Sequence, residues 1–269
     1  MKLDITVVDA FTEHMFQGNP AAVIITERWL PDALMQSIAA ENNLSETAFL
    51  VATAPFTYQI RWFSPLTEIA FCGHATLASA FTLFEAHPGC HQLHFWAQSV
   101  GSFSVEKEPS GLIQMDFPNN KPEKTTDIPE TLIKGLSIRP AEVYENTQAY
   151  FAVYESVTDV MAIERDNALL KQLKPRDVVV TAPAPQNTTT HDFVSRYFWP
   201  ANGGDEDPVT GSIHTGLAPF WAERSGKSTL VGYQASQRGG LVHCTVSDRR
   251  VIVSGHAVTY MKGSISLPA

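Results

Sequence analysis

Short apolar runs closed by Pro, Gly or Asn recur along most of the chain. Ile5 to Val8, Ala21 to Ile25, Tyr58 to Phe63, Val178 to Thr181 and Phe193 to Phe198 are β-branched or aromatic and predict strands. Val242, Cys244 and Val246 alternate with His243, Thr245 and Ser247, the period of a strand with one buried face. Two segments break the period of two. Pro31 to Glu41 places Leu34, Met35, Ile38 and Ala39 on one side and stops at Asn42-Asn43, which predicts a helix opened by its proline. His74 to Glu85 is apolar almost all round, so it predicts a helix enclosed by other elements. Strands wrapped around a buried helix define an α+β class, not a doubly wound one.

A self-comparison sharpens this picture. Arg61-Trp62-Phe63-Ser64-Pro65 recurs as Arg196-Tyr197-Phe198-Trp199-Pro200, and Tyr58 matches Phe193 at the same spacing. Acidic residues follow each proline (Glu68; Glu206 and Asp207), and then a glycine that opens a helix (Gly73; Gly211). The shared order points to a duplicated unit, each copy built around a central helix. The chain of 269 residues has room for two such halves. The Pro-rich stretch Pro118 to Thr126 is the boundary, which gives an N-terminal domain over 1–118 and a C-terminal domain over 119–269. The C-terminal strand is free to return to the first domain. A second Pro-rich stretch, Ala182 to Thr190, reads as a surface loop.

Composition excludes several classes. The formal net charge of −9 leaves no basic excess to displace phosphate counterions, so nucleic acid is not the expected partner. Three cysteines do not make a disulfide framework and suit a reducing compartment. Asp4 interrupts the start where a signal peptide needs an apolar run, and no stretch reads as a membrane span. The expectation is a cytoplasmic protein with no membrane association.

The candidate chemistry sits at the helix starts. Free N–H groups and the helix dipole bind anions, so Gly73-His74 and Gly211-Ser212 would hold a small carboxylate in a cleft between similar halves. The alternative is that each glycine only makes a tight turn, with His74 and Ser212 as N-caps. Glu46 stands where a helix hands over to an apolar strand, which suits a general acid/base with a raised pKa, although a solvated or backbone-bonded acid is the commoner occupant of such a position. Asp207, ahead of Pro208, either caps the second helix or holds a proton. Cys72 at a helix start is a candidate reactive thiol, though such a cysteine is more often a small buried residue than a base. A two-thiol racemase would need a partner, and the internal alignment puts Thr210 opposite it. His87, Cys90, His91 and His94 have metal-like spacing but lack a second ligand cluster, so no metal is expected. Ser212, His214 and Asp207 lack a nucleophile elbow, and no Walker A or G-x-G-x-x-G motif supports a nucleotide.

Taken in order, five motifs resemble the phenazine-biosynthesis PhzF-like family. They are Asp9-Ala10-Phe11, Gly18-Asn19-Pro20-Ala21-Ala22-Val23, Asn43-Leu44-Ser45-Glu46-Thr47, Phe71-Cys72-Gly73-His74-Ala75-Thr76 and Glu206-Asp207-Pro208-Val209-Thr210-Gly211-Ser212. Gln234 with Arg238-Gly239-Gly240 is similar to a later motif of that family. The resemblance implies a diaminopimelate-epimerase-like fold of two pseudo-symmetric domains, each a mixed sheet around a central helix. It implies an isomerase, a homodimer, and catalysis without metal or organic cofactor. In the phenazine enzyme the glutamate matching Glu46 moves a proton between carbons of dihydro-hydroxyanthranilate. The carry-over makes Glu46, His74 and Asp207 catalytic, and Gly73, Gly211, Ser212 and Asn19 substrate-binding. Trp199, in a position where a smaller residue is common, implies an altered substrate. A binding protein that has lost catalysis, and a racemase or epimerase using Cys72, are the alternatives.

Overall fold

The computed structural model describes residues 1–185 and 190–267, so Gln186, Asn187, Thr188 and Thr189 of the expected surface loop lie outside the described residues. The chain forms two compact units, residues 1–116 with 254–269, and residues 117–253.

In the first unit, β1 (Lys2–Ala10) runs antiparallel to β2 (Asn19–Thr26). The helix α1 (Asp32–Asn42) follows, and β3 (Glu46–Ala54) then lies parallel to β2. Pro31 is the residue before the helix, not its first turn, and Asn43 ends it in the left-handed conformation at φ 48°. β4 (Thr57–Phe63) pairs antiparallel with β3 and with the two-residue β5 (Glu68–Ile69). The helix α2 (Gly73–Ala86) then leads to β6 (Gln92–Ala97), parallel to β4, and to the antiparallel β7 (Gly101–Lys107) and β8 (Ile113–Pro118).

Alternation along the strands sorts the two faces of this sheet. Ala22, Ile24 and Phe49 join Met35, Ile38 and Ala39 of α1 in one cluster. The intervening Ala21, Val23, Glu46 and Ala48 therefore point to the other face, where α2 packs against β1, β2 and β3. Ten residues of α2 are buried, among them every one from Gly73 to Ala80. Its small side chains let the helix be enclosed, as its apolar circumference predicts.

The second unit repeats this plan. β9 (Glu123–Lys124) and a short helix α3 (Glu130–Lys134) precede β10 (Glu142–Glu145), which is antiparallel to β11 (Ala149–Val153). The short helices α4 (Val157–Ala162) and α5 (Asn167–Leu170) lead to β12 (Asp177–Pro183), parallel to β11. β13 (Phe193–Phe198) is antiparallel to β12 and to the two-residue β14 (Glu206–Asp207). The helix α6 (His214–Ser225) precedes β15 (Thr229–Gln234), which is parallel to β13 and antiparallel to β16 (Gly240–Val246). Val178, Val180 and Ala182 face the short helices, whereas Val179, Phe193 and Tyr197 face Leu217, Phe220 and Trp221 of α6. In β16, Val242 and Cys244 are buried, His243 is half-buried and Thr245 exposed, as the alternation predicts, while Val246 is only half-buried. β17 (Arg250–Gly255) then carries the chain back to the first unit, where β18 (Ala257–Ser266) pairs antiparallel with β1.

The ladder registers make the repeat exact to the residue. Thr47 pairs with Phe63 and Phe63 with Glu68; Val178 pairs with Phe198 and Phe198 with Glu206. Ala21 pairs with Glu46, and Ala149 with Asp177. Glu46 and Asp177, each the first residue of its strand, are thus counterparts, as are Trp62 and Tyr197. One difference concerns the helix starts. The central helix of the second unit begins at His214, not at Gly211-Ser212, and the preceding turn is wound by i→i+3 bonds from His214, Thr215 and Gly216 to Gly211, Ser212 and Ile213. Pro219, inside the helix, has no N–H for the Thr215 carbonyl, so that helix bond is missing.

The matched arginines hold unlike weights. Arg61 grips Glu68 through two bonds of 2.7 Å and Asp32 through one of 2.8 Å, at a site whose acids are exposed. Arg196 grips Glu206 at 2.8 and 3.0 Å, shares it with Arg165, and donates to the carbonyls of Val160 and Ile163, all partly buried. Removing a buried pair's partner strands the other charge and the carbonyls, whereas an exposed pair is screened. Arg196→Met is expected to cost about 3 kcal/mol in denaturant unfolding, less Arg165's compensation. Arg61→Met is expected to cost about 1 kcal/mol or less.

Candidate active site

The first unit gathers its polar residues at the start of α2. Asn42 Nδ2 donates to Thr47 Oγ1 at 3.1 Å, so the chain leaves α1 through the left-handed Asn43 and enters β3 with Glu46 at its first position. Glu46 Oε2 lies 3.0 Å from His74 Nε2, and both side chains are more than nine-tenths buried. The other ring nitrogen, His74 Nδ1, is 3.1 Å from Asn19 Nδ2 and 3.4 Å from Cys72 Sγ. Asn19 is fully buried, so it orients the imidazole, and Cys72, immediately before the helix, is buried too. Its thiol does not become acidic as a helix start would suggest. Burial pushes its pKa up to about 11, and the Glu46 charge adds to that, outweighing His74. Burial works against a charged imidazole as well, but Cys72 and Glu46 together carry the His74 pKa well above its ordinary value.

Gly18 explains the Gly-Asn-Pro motif. Its φ is +66°, and a Cβ there would stand 2.1 Å from the Ala10 carbonyl oxygen, so only glycine lets β2 begin with Asn19 at this depth. Gly18→Ala is expected to displace Asn19 and lower the melting temperature by several degrees, about 2 kcal/mol or more of stability.

Glu46, Cys72 and His74 each bring a ligand atom within 4.8 Å of the others, the one such trio among the described residues. Their donor set suits a single zinc-like ion with an open position. In the segment singled out for its spacing, His87, His91 and His94 are exposed and Cys90 Sγ donates to the Gln92 carbonyl instead.

The second unit sets its candidates around the turn before α6. Asp207 Oδ2 accepts from Thr210 Oγ1 at 2.5 Å. Gln234, fully buried, clamps the loop: its Oε1 accepts from the Thr210 backbone N–H at 2.9 Å, and its Nε2 donates to the Asp207 carbonyl at 2.8 Å. Ser212 is no N-cap. Its Oγ accepts from Gln148 Nε2 at 2.9 Å, and that same nitrogen reaches Tyr197 OH at 3.2 Å. Gly211 is buried in the turn and Ser212 half-buried. Gln148 carried no chemical signal in the sequence, because its role depends on strand register; Thr210 appeared there only as the position opposite Cys72 and within a motif, and Gln234 only through a motif.

His214, the first residue of α6, is completely buried and donates from Nδ1 to the Thr210 carbonyl at 2.8 Å. Its Nε2 has no hydrogen-bond partner and sits against Gly232, where a Cβ would be 2.9 Å away. Burial depresses its pKa to about 4. In the unfolded chain this imidazole takes up a proton below about pH 6.5, whereas the folded protein refuses it until about pH 4. Stability from this residue is thus intact above pH 6.5 and falls with pH through that window, by about 1.4 kcal/mol per pH unit. His214→Asn, compared with the parent protein in urea between pH 7 and pH 4.5, is expected to show a shallower acid decline.

Two mixed sheets of repeated topology, each around a central helix, with a buried acid–imidazole pair in the first unit, define a fold of the epimerase-like α+β class. The chain belongs to the phenazine biosynthesis-like (PhzC-PhzF) family, whose model matches residues 8–263. It is 45% identical over 267 residues to an uncharacterized isomerase of Pseudomonas aeruginosa, covering 99% of this chain and 100% of that one. It is 41% identical to an uncharacterized isomerase of Halalkalibacterium halodurans, at 99% and 100% coverage. A PhzF-family crystal structure from Enterococcus faecalis superposes with a TM-score of 0.92 at 43% identity, covering 99% of this chain and 100% of that one. A hydroxyproline epimerase from Agrobacterium vitis shares the fold at a TM-score of 0.58 and 10% identity, covering 99% and 93%. No helix among the described residues is long and apolar enough to cross a membrane.

Proposed function

We propose that this PhzF-family isomerase moves a proton between carbons of a small carboxylate-bearing substrate, with Glu46 as its acid/base. The observation that carries this reading is the buried Glu46–His74 contact of 3.0 Å. A carboxylate withdrawn from water and held against an imidazole is placed to take a proton and return it. His74, its ring fixed by Asn19, balances the charge on Glu46 as the proton moves. Asp207 polarises the substrate, while the amides at Gly73 and Gly211 and the hydroxyl of Ser212 hold its carboxylate. The reaction needs one acid/base on one face, so it needs neither a second thiol nor an organic cofactor. On the family pattern the protein acts as a cytoplasmic homodimer.

The rival reading is a racemase or epimerase using Cys72, which the 3.4 Å contact of its sulfur with His74 favours. The raised thiol pKa speaks against Cys72 as the base, because little thiolate is present near neutral pH. Incubation with dihydro-hydroxyanthranilate and with a panel of small unsaturated amino and hydroxy acids in D₂O, read by NMR, separates the two. Deuterium is expected to enter at carbon, and Glu46→Gln is expected to slow that entry by about 10²–10⁴-fold. Cys72→Ala is expected to retain most of it. Exchange that survives Glu46→Gln but is lost in Cys72→Ala transfers the role to the thiol. Binding of a panel member without any exchange would mark the protein as a binder.

A further inference from the structure

The duplicated topology exposes a second polar cluster that the proton transfer does not use. Asp177 opens β12 as Glu46 opens β3, on the face that packs against the central helix. Where Glu46 meets an imidazole, Asp177 meets a phenol: Tyr197 OH donates to Asp177 Oδ2 at 2.6 Å. Asn202 Nδ2 donates to the other oxygen, Oδ1, at 2.8 Å. Both Asp177 and Tyr197 are buried. Asp177 is further tied to Gln148, whose carbonyl accepts from the Asp177 backbone N–H at 3.0 Å.

The direction of these bonds can be read from what each group is able to give. An acceptor carboxylate commits the single hydrogen of Tyr197, so the phenol oxygen is left only with lone pairs. Gln148 Nε2, donor-only, fills one of these at 3.2 Å and directs its other hydrogen to Ser212 Oγ at 2.9 Å. Ser212 Oγ is thereby an acceptor on its inner side, and its own hydrogen is left to point away from Gln148. Each bond in the chain fixes the polarity of the next. The group at the end of it is a half-buried hydroxyl beside the Gly211 turn.

We propose that Asp177, Tyr197 and Gln148 are positioning residues that hold Ser212 as an outward hydrogen-bond donor, so that this position selects an anionic carboxylate over a neutral carboxamide. The proposal rests on the reading above that Ser212 holds the substrate's carboxylate. A carboxylate offers only acceptors and matches a fixed donor. A carboxamide turned with its NH₂ group toward Ser212 meets a donor facing a donor.

The test uses 2-aminobenzoate and 2-aminobenzamide, which differ at that group alone, and isothermal titration of the full-length protein. The readout is the ratio of the two affinities. Ser212→Ala is expected to lower the carboxylate preference by about tenfold, the scale of one hydrogen bond to a charged group. Gln148→Glu replaces the donor by an acceptor that captures the Ser212 hydrogen, and it is expected to lower the preference by about tenfold as well. The new charge also repels a carboxylate at a distance, so both changes are combined. In the Ser212→Ala background, Gln148→Glu is expected to have a much smaller effect. Gln148→Met, which removes the donor without adding charge, is expected to lower the preference by about threefold, and only when Ser212 is present. It decides the matter should the glutamate variant fail to fold. If neither probe binds, or if Ser212→Ala leaves the preference unchanged, the carboxylate assignment of Ser212 fails and the relay falls with it. If Ser212→Ala lowers the preference but the Gln148 changes act equally with and without Ser212, the relay alone is overturned.

Discussion

The arrangement of the first unit depends on keeping one carboxylate out of water. Burying an unpaired Glu46 would cost several kcal/mol, so a partner must wait for it at the correct height inside the fold. His74 is that partner, and the demands pass outward from it. The imidazole needs its ring plane fixed, which Asn19 and Cys72 do from the far nitrogen. Asn19 needs β2 to begin deep in the unit, which Gly18 permits by adopting a conformation that no other residue accepts cheaply at 2.1 Å from a carbonyl. The helix that carries His74 needs small residues all round, because it is enclosed on the sides where a surface helix would meet solvent.

The same constraint recurs in the second unit with a different answer. Asp177 occupies the position of Glu46, and the structure meets its burial with a phenol and an amide instead of an imidazole. A phenol is a donor that stays neutral: burial and the adjoining Asp177 push the Tyr197 pKa far above the ordinary tyrosine value. The first unit therefore holds an acid beside a group that can change charge, and the second holds an acid beside one that cannot. Duplication supplied two strand starts with equal topology. The side chains opposite them differ: one acid faces an imidazole and the other a phenol.

Much of this was legible in the residue order, and the failures have physical causes. Periodicity identified the buried helix because α2 is apolar on every side, and it identified the exposed alternation of β16 because that strand has one wet face. The repeat was visible because Arg61 and Arg196 both need an acid across a two-residue ladder, which holds Glu68 and Glu206 in place. The expected opening of the second central helix at Gly211 falls three residues early, since a sequence pattern registers where the glycine lies and not that the turn after it winds through i→i+3 bonds before α6 begins at His214. Of the two readings of Cys72, a reactive thiol or a small buried residue, burial favours the second. A helix start lowers a thiol pKa only while water or a cation reaches it, and position in the sequence does not report burial.

Asp177 shows where sequence reading stops. It stands between an arginine and a run of valines, with no motif around it, and its partners Gln148, Tyr197 and Asn202 come from two other stretches of chain. Nothing in the spacing of these four residues singles them out. What joins them is register: Ala149 opposite Asp177 and Val178 opposite Phe198 place Gln148, Asp177 and Tyr197 at one end of adjacent strands, level with the turn that carries Ser212. A ladder shifted by one residue would send Asp177 to the other face, toward Val160, Leu170 and the short helices, away from Tyr197 and Asn202. The polar network and the strand pairing therefore specify each other. The buried acid penalises every register but one, and that register is what turns the hydroxyl of Ser212 outward.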